Sequence, residues 1–243
     1  MKHIICSLIL ALVLPLTVGA ADVDHRIYAE LLNKYVVNHR VNYTGFQKEE
    51  TRLDQYLDQL SAVDPAQLTR SQAMAFYINA YNAFTIKLIL TKFPDINSIK
   101  ELGGLFSNPW SKKFVPLNGR IVTLDYIEHE VLRPQYKDAR VHFAVNCASK
   151  GCPPLRNSPY TGMDLERQLE EQTTAFINDP ARTYVKDGTL YVSKIFDWFG
   201  EDFNDNPAAF VRRYAQGDLK QALDQAGANI SVSYLYYDWS LNR

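Results

Sequence analysis

Phe114-Val115-Pro116-Leu117-Asn118-Gly119-Arg120-Ile121-Val122-Thr123-Leu124-Asp125-Tyr126-Ile127-Glu128-His129 decides the fold class. Two short apolar runs flank Asn118-Gly119, the dipeptide that most readily takes the two positive-φ positions of a tight hairpin turn. Pro116 has no N–H to give a central ladder, so this hairpin belongs at a sheet edge. Thr123 then caps a short helix over 124–133, which Pro134 stops. A hairpin running straight into a helix points to an α+β fold rather than to parallel βαβ units. Working outward, Asp187-Gly188 sits between Thr183-Tyr184-Val185 and Leu190-Tyr191-Val192 and predicts a second hairpin. Apolar residues at helical spacing predict helices over 24–38, 49–61, 70–92 and 162–178. The last of these is capped by Thr161 with Asp164. Asn206-Pro207 starts a further helix, and Asp218 with Gln221 caps another that ends at Gly227. Residues 101–111 read as loop. Val141 to Asn146 reads as a strand, and Ile230, Val232, Tyr234 and Tyr236 alternate in a final one. The expected architecture is helices packed around a small, mainly antiparallel sheet with two hairpins, in a single compact domain over 21–243.

With 47% apolar and 22% charged residues in 243, the composition is that of a globular chain and excludes disordered, collagenous and coiled-coil classes. Residues 1–20 are expected to be a cleaved signal peptide. Lys2 precedes the apolar run Ile4 to Leu14, and Val18-Gly19-Ala20-Ala21 offers a small-residue cleavage site. The expected location is therefore periplasmic or secreted. Net charge is −1, and −2 once Lys2 is removed, with both signs scattered. That excludes the electrostatic footprint of a nucleic-acid partner or an anionic membrane surface. No transmembrane segment is expected after signal cleavage, because Asn79, Asn82 and Lys87 interrupt the apolar stretch 73–90. The 15 tyrosines fit packing with a polar handle, or contact with a peptide, glycan or protein partner in the envelope.

Cys6 leaves with the signal, so Cys147 and Cys152 are the cysteines of the exported chain. Three readings of this pair stand open. A disulfide suits an oxidising compartment with no other thiol available, and closing so short a loop contributes on the order of 2 kcal/mol. A nucleophilic thiolate at Cys147 needs an adjacent base. Redox exchange is weakened by a C-x4-C rather than C-x-x-C spacing. If 141–146 is a strand, His142 faces away from Cys147. On the 124–133 helix Glu128 flanks the apolar face, where an arginine such as Arg140 is a natural partner, and His129 lies outside near Arg133. Glu128, His129 and His142 are alternatively an acid–base or metal cluster, although no H-E-x-x-H spacing, glycine-rich phosphate loop or G-x-S-x-G elbow occurs. Asn79 and Asn82 share one helix face. They either pin a loop or line a ligand pocket.

Phe76-Tyr-Ile-Asn-Ala-Tyr-Asn-Ala83, Leu124-Asp-Tyr-Ile-Glu-His129 with Leu132-Arg133, Arg140-Val-His-Phe-Ala-Val-Asn-Cys-Ala148, Gly151-Cys-Pro-Pro-Leu155 and Tyr237-Asp-Trp-Ser-Leu-Asn242 together resemble the domain of unknown function 547 family. The resemblance runs from about Val41 to Asn242. It implies an exported bacterial protein, with related domains in plant proteins, and brings no particular reaction, substrate or cofactor. Its pattern maps onto Asn79, Tyr81, Asn82, Glu128, His129, Arg133, Arg140, His142, Cys147, Cys152 and Pro153. So many polar positions point to a shared site. The leading expectation is an envelope protein that binds a ligand or partner at Asn79, Asn82, Glu128, His129, His142 and the Cys147–Cys152 loop, with Tyr81, Arg133 and Arg140 as further binding residues and no assigned metal. The alternative is an envelope hydrolase or transferase using Cys147 as nucleophile or a Glu128/His129/His142 acid–base or metal site.

Overall fold

The computed structural model describes residues 23–104 and 108–243. The expected signal peptide, and part of the expected 101–111 loop, lie outside the described residues. The fold is α+β. Its helices are α1 (Arg26–Tyr35), α2 (Tyr43–Lys48), α3 (Glu50–Ser61), α4 (Arg70–Leu90), a π-helix over Tyr126–Tyr136, α5 (Val141–Ala144), α6 (Leu165–Ile177), α7 (Ile195–Trp198), α8 (Pro207–Tyr214) and α9 (Gly217–Ala226). Its strands are β1 (Val36–Val37), β2 (Arg40–Val41), β3 (Val115–Leu117), β4 (Arg120–Val122), β5 (Tyr184–Lys186), β6 (Thr189–Val192) and β7 (Ser231–Tyr234).

Local sequence explains most of these elements. Thr69 and Gln72 form a reciprocal capping box at the start of α4. α4 then buries Ala73 to Ala83 and beyond on nearly every side, and 89% of its most apolar window lies inside the fold, so it is the central core helix. The two expected hairpins form with Asn118-Gly119 and Asp187-Gly188 in positive-φ turns. A third hairpin, β1–β2, was not expected. Val36-Val37 resist helix and favour strand, and Asn38 and His39 take the positive-φ positions of its turn. The strands form three small sheets rather than one, mainly antiparallel, with β7 parallel to β6.

Three expectations are corrected. Val141 to Asn146 is not a strand. Asp138 accepts the Arg140 amide at 3.0 Å, and the amides of Val141, His142 and Phe143 turn back to the carbonyls of Asp138, Ala139 and Arg140. That local capping outweighs the β propensity of the run and makes the helical turn α5. Pro134 does not stop its helix. In α winding Pro134 has no N–H for the Glu130 carbonyl, whereas i→i+5 winding offers that carbonyl the residue five along. Gln135 also reaches it with its side chain, Nε2 to O 3.3 Å. Asp218 does not cap α9, which starts after an extended Gln216 with no side-chain cap, although it ends at Gly227 as expected.

Two apolar cores result. The larger surrounds α4. The smaller joins Phe143, Phe176, Phe196, Phe203 and Val211 to the three-stranded sheet, and Trp239 packs against both. The closing segment lies across the seam between them. Val41 N–H donates to the Asn242 carbonyl and Leu241 N–H to that of Asn97, while Asn242 N–H donates to the Ala148 carbonyl.

Candidate functional site

The seam between the two cores opens as a cleft of about 170 Å³. Its lining comes from six places in the chain. α4 gives Tyr81. The π-helix and the residue before it give Asp125, Glu128 and His129. α5 gives His142, and the following loop gives Cys147, Cys152 and Pro153. α7 and its end give Trp198 and Phe199. The closing segment gives Tyr237 and Trp239, and Trp110 completes the set. All three tryptophans of the chain therefore meet in one cleft.

The aromatic wall is continuous. Trp198 lies 4.7 Å from Tyr237 and 5.5 Å from Trp239, centroid to centroid, and Trp110 meets Trp239 at 5.8 Å. The polar wall follows from the π-helix. Its wider winding buries Ile127, Val131 and Leu132 and brings Glu128 and His129 to the cleft, where a 3.6-residue period leaves His129 outside. Glu128 is 8% exposed. Burial, the charge of Glu128 and a hydrogen bond with it push the Tyr81 hydroxyl well above its ordinary pKa. His142 stacks on Phe199 at 4.1 Å and lies 2.6 Å through Nε2 from Asp202 Oδ2. Partial burial opposes ionisation of Asp202, but hydrogen bonds from His142 and Arg133 prevail and hold its carboxyl at about 2. Among the described residues lining this cleft there is no lysine or arginine.

The sulfurs of Cys147 and Cys152 stand at disulfide distance, 2.22 Å. Cys147 Sγ lies 3.2 Å from the hydroxyls of both Ser149 and Tyr237. Burial pushes the Tyr237 hydroxyl up to about 12. Because 141–144 is helical, the alternation that set His142 away from Cys147 does not apply, and both line the cleft.

The other expected site residues lie elsewhere. Asn79 Nδ2 donates to the Tyr160 carbonyl at 2.7 Å and its Oδ1 accepts the Tyr160 N–H at 2.9 Å. Asn82 clamps the Ala144 carbonyl and the Asn146 N–H in the same way, at 3.0 and 2.8 Å. Both amides serve backbone and neither lines the cleft. Arg133 binds Asp202 and Glu201 and stands 3.2 Å from His129 Nδ1, in a neighbouring polar groove that shares His129 with the cleft. Arg140 binds Asp138 and Glu166, not Glu128. No group of three His, Cys, Asp or Glu side chains is arranged for a metal ion among the described residues. Sequence reasoning did not single out Asp202, Trp110, Trp198, Phe199 or Trp239 as site residues. The available signal was that each of the three tryptophans stands beside polar residues, in Pro109-Trp110-Ser111, Asp197-Trp198 and Asp238-Trp239-Ser240, rather than within an apolar run.

An α+β chain with an aromatic and acidic cleft at the seam of two cores defines the class. Residues 65–177 match the family described as "Protein of unknown function, DUF547", and the chain carries a domain of that family. The match is narrower than the expected 41–242. It holds the π-helix, α5 and the cysteine loop, while Trp198, Asp202, Tyr237 and Trp239 lie beyond it. No curated protein and no solved structure matches the chain.

Proposed function

We propose that this is an exported protein of the cell envelope, periplasmic or secreted, whose cleft binds a cationic amine group carried by a small molecule, peptide or glycan. The observation that carries this reading is the lining itself: three tryptophans, Tyr237 and Phe199 share a cleft with Asp125 and Glu128, and its described lining includes no lysine or arginine. Ring faces attract cations through their quadrupole, and a buried carboxylate adds charge to that attraction. Lys100 illustrates the chemistry on the same ring system, its ammonium lying 3.9 Å from the Trp239 centroid. The exported location rests on residues 1–20.

Intrinsic tryptophan fluorescence tests this directly, because every tryptophan lines the cleft. A lysine-ended tripeptide is expected to change the emission saturably, and its Nε-acetylated form to bind at least tenfold more weakly. Glu128→Gln should weaken binding by a similar factor. A neutral disaccharide that binds while the tripeptide does not would replace the amine reading with a glycan one.

A second reading has its own support. His142 is held by Asp202, and Glu128 is buried beside Tyr81, so the cleft contains two proton-transfer groups in different surroundings. That pairing suits an envelope hydrolase or transferase. Turnover of peptide or ester substrates that is abolished by Glu128→Gln and reduced by Asp202→Asn would favour it over simple binding.

A further inference from the structure

We propose that Cys147–Cys152 is an exchangeable disulfide that oxidises thiols entering the cleft, with Cys147 the sulfur attacked and Cys152 the one that leaves. This is an activity beyond the binding reading and stands on separate observations.

The pair is redundant as a staple. Asn82 holds the loop at Ala144 and Asn146. The Asn146 side chain binds the Ala148 N–H and the Pro153 carbonyl. The Asn242 amide reaches the Ala148 carbonyl, and the amides of Lys150 and Gly151 reach the carbonyls of Ser240 and Asp238. Arg182 takes the carbonyls of Gly151 and Lys150. The loop is thus held at both ends and in the middle without the sulfur bond, and a bridge between residues five apart restricts the unfolded chain least.

The two sulfurs are also inequivalent. Both residues line the cleft, but Cys147 is partly exposed while Cys152 is 4% exposed, so an incoming thiolate meets Cys147. Cys152 Sγ accepts the Cys147 N–H at 2.7 Å, a contact that stabilises a departing thiolate. The Ser149 and Tyr237 hydroxyls stand ready to hydrogen-bond Cys147 once it is reduced. Between the cysteines, buried Ala148 is held at φ 61°, a conformation that a side chain normally disfavours and that functional loops retain.

In the reaction a thiolate RS⁻ forms a bond to Cys147 Sγ as the Cys147–Cys152 bond breaks, and its electron pair leaves on Cys152 Sγ. A second thiolate attacks the R sulfur of this mixed disulfide, releasing RSSR and the Cys147 thiolate. Two thiols lose two electrons, and the protein disulfide gains them and becomes a dithiol. The protein itself is the oxidant for this single turnover.

The test compares the folded oxidised protein with the same chain unfolded in urea. Each is treated with 2-mercaptoethanol, quenched, alkylated with iodoacetamide and mapped by mass spectrometry. Exchange in the folded protein at least as fast as in the unfolded chain is expected, with the mercaptoethanol adduct on Cys147, the alkyl group on Cys152, and circular dichroism unchanged by reduction. Slower exchange in the folded protein, an adduct chiefly on Cys152, or loss of the fold on reduction would overturn the proposal. Cysteamine and mercaptoacetate, compared at equal thiolate concentration, separate this activity from the binding reading. A faster reaction with cationic cysteamine supports both, whereas equal rates support exchange and overturn the cation preference.

Discussion

Asn82 grips the chain on both sides of the bend that turns α5 into the cysteine loop, accepting from the Asn146 N–H and donating to the Ala144 carbonyl. Removing a buried hydrogen-bonding side chain leaves its partners unpaired, which costs about 1–3 kcal/mol for each group. Asn82→Ala strands two such groups and should lower stability in urea by about 2–6 kcal/mol. The double replacement of Cys147 and Cys152 by serine should cost about 2 kcal/mol or less, because the loop it closes is short. Measured urea midpoints in the reverse order would contradict the view that amides, more than sulfur, shape this loop. The sequence placed both asparagines on one helix face, but not whether they serve a ligand or the backbone. That depends on which loops fold over α4, and Tyr160 and Asn146 are 81 and 64 residues away from their asparagine partners. Asp202 was hidden for the same reason, since it pairs with His142 across 60 residues with no spacing to reveal it.

At the level of elements, the hairpins were legible because their cause is local: Asn118-Gly119 and Asp187-Gly188 reach the turn conformation wherever they stand. The π-helix was not, because a period of 3.6 applied to 124–133 assigns the wrong face to His129. α5 was missed because its buried, β-branched start imitates a strand while Asp138, outside the run, forms the turn. The π winding carries a prediction. Pro134→Ala restores a main-chain donor and favours α winding by up to about 3 kcal/mol in intrinsic propensity. Thermal stability should stay level or rise, while affinity for the lysine-ended tripeptide should fall several-fold as Glu128 and His129 rotate out of register. Unchanged affinity would separate the winding from the site.

Across the whole molecule, two sets of ionisable groups bound the pH range of the fold. A hydrogen bond from Lys34 and contacts from Tyr35 and Arg52 hold Glu49 at about 2, and Asp202 sits at about 2. Carboxyls depressed in the folded state contribute stability above their unfolded pKa near 4, and lose it as pH falls through their folded values. Burial acts oppositely on Tyr28, Tyr43, Tyr56, Tyr81 and Tyr160, all pushed upward, and on Tyr136, pushed up to about 12. A tyrosine whose folded pKa is raised adds stability below its unfolded value near 10, which fades as pH rises beyond it. Melting temperature should therefore be level between about pH 5 and 9 and fall on both sides. Tyrosinate absorbance from the buried set should appear together with unfolding rather than before it, and Asp202→Asn should flatten the acid limb. Smooth titration of all 15 tyrosines near pH 10 in the folded protein would contradict the burial described here.

Tyr237 and Trp239 have a further consequence for the order in which the site is made. They supply part of the cleft wall, and the Gly151 backbone stands so close to the Tyr237 ring that a Cβ there would come within 2.8 Å of it. During synthesis the chain emerges from its N-terminal side. α4, the π-helix and the cysteine loop can all be present while the ring that packs on that loop is still missing. The cleft gains that part of its wall only when residues 237–242 have emerged and been laid over the seam, so a nascent chain lacks the complete cleft until synthesis has passed that point.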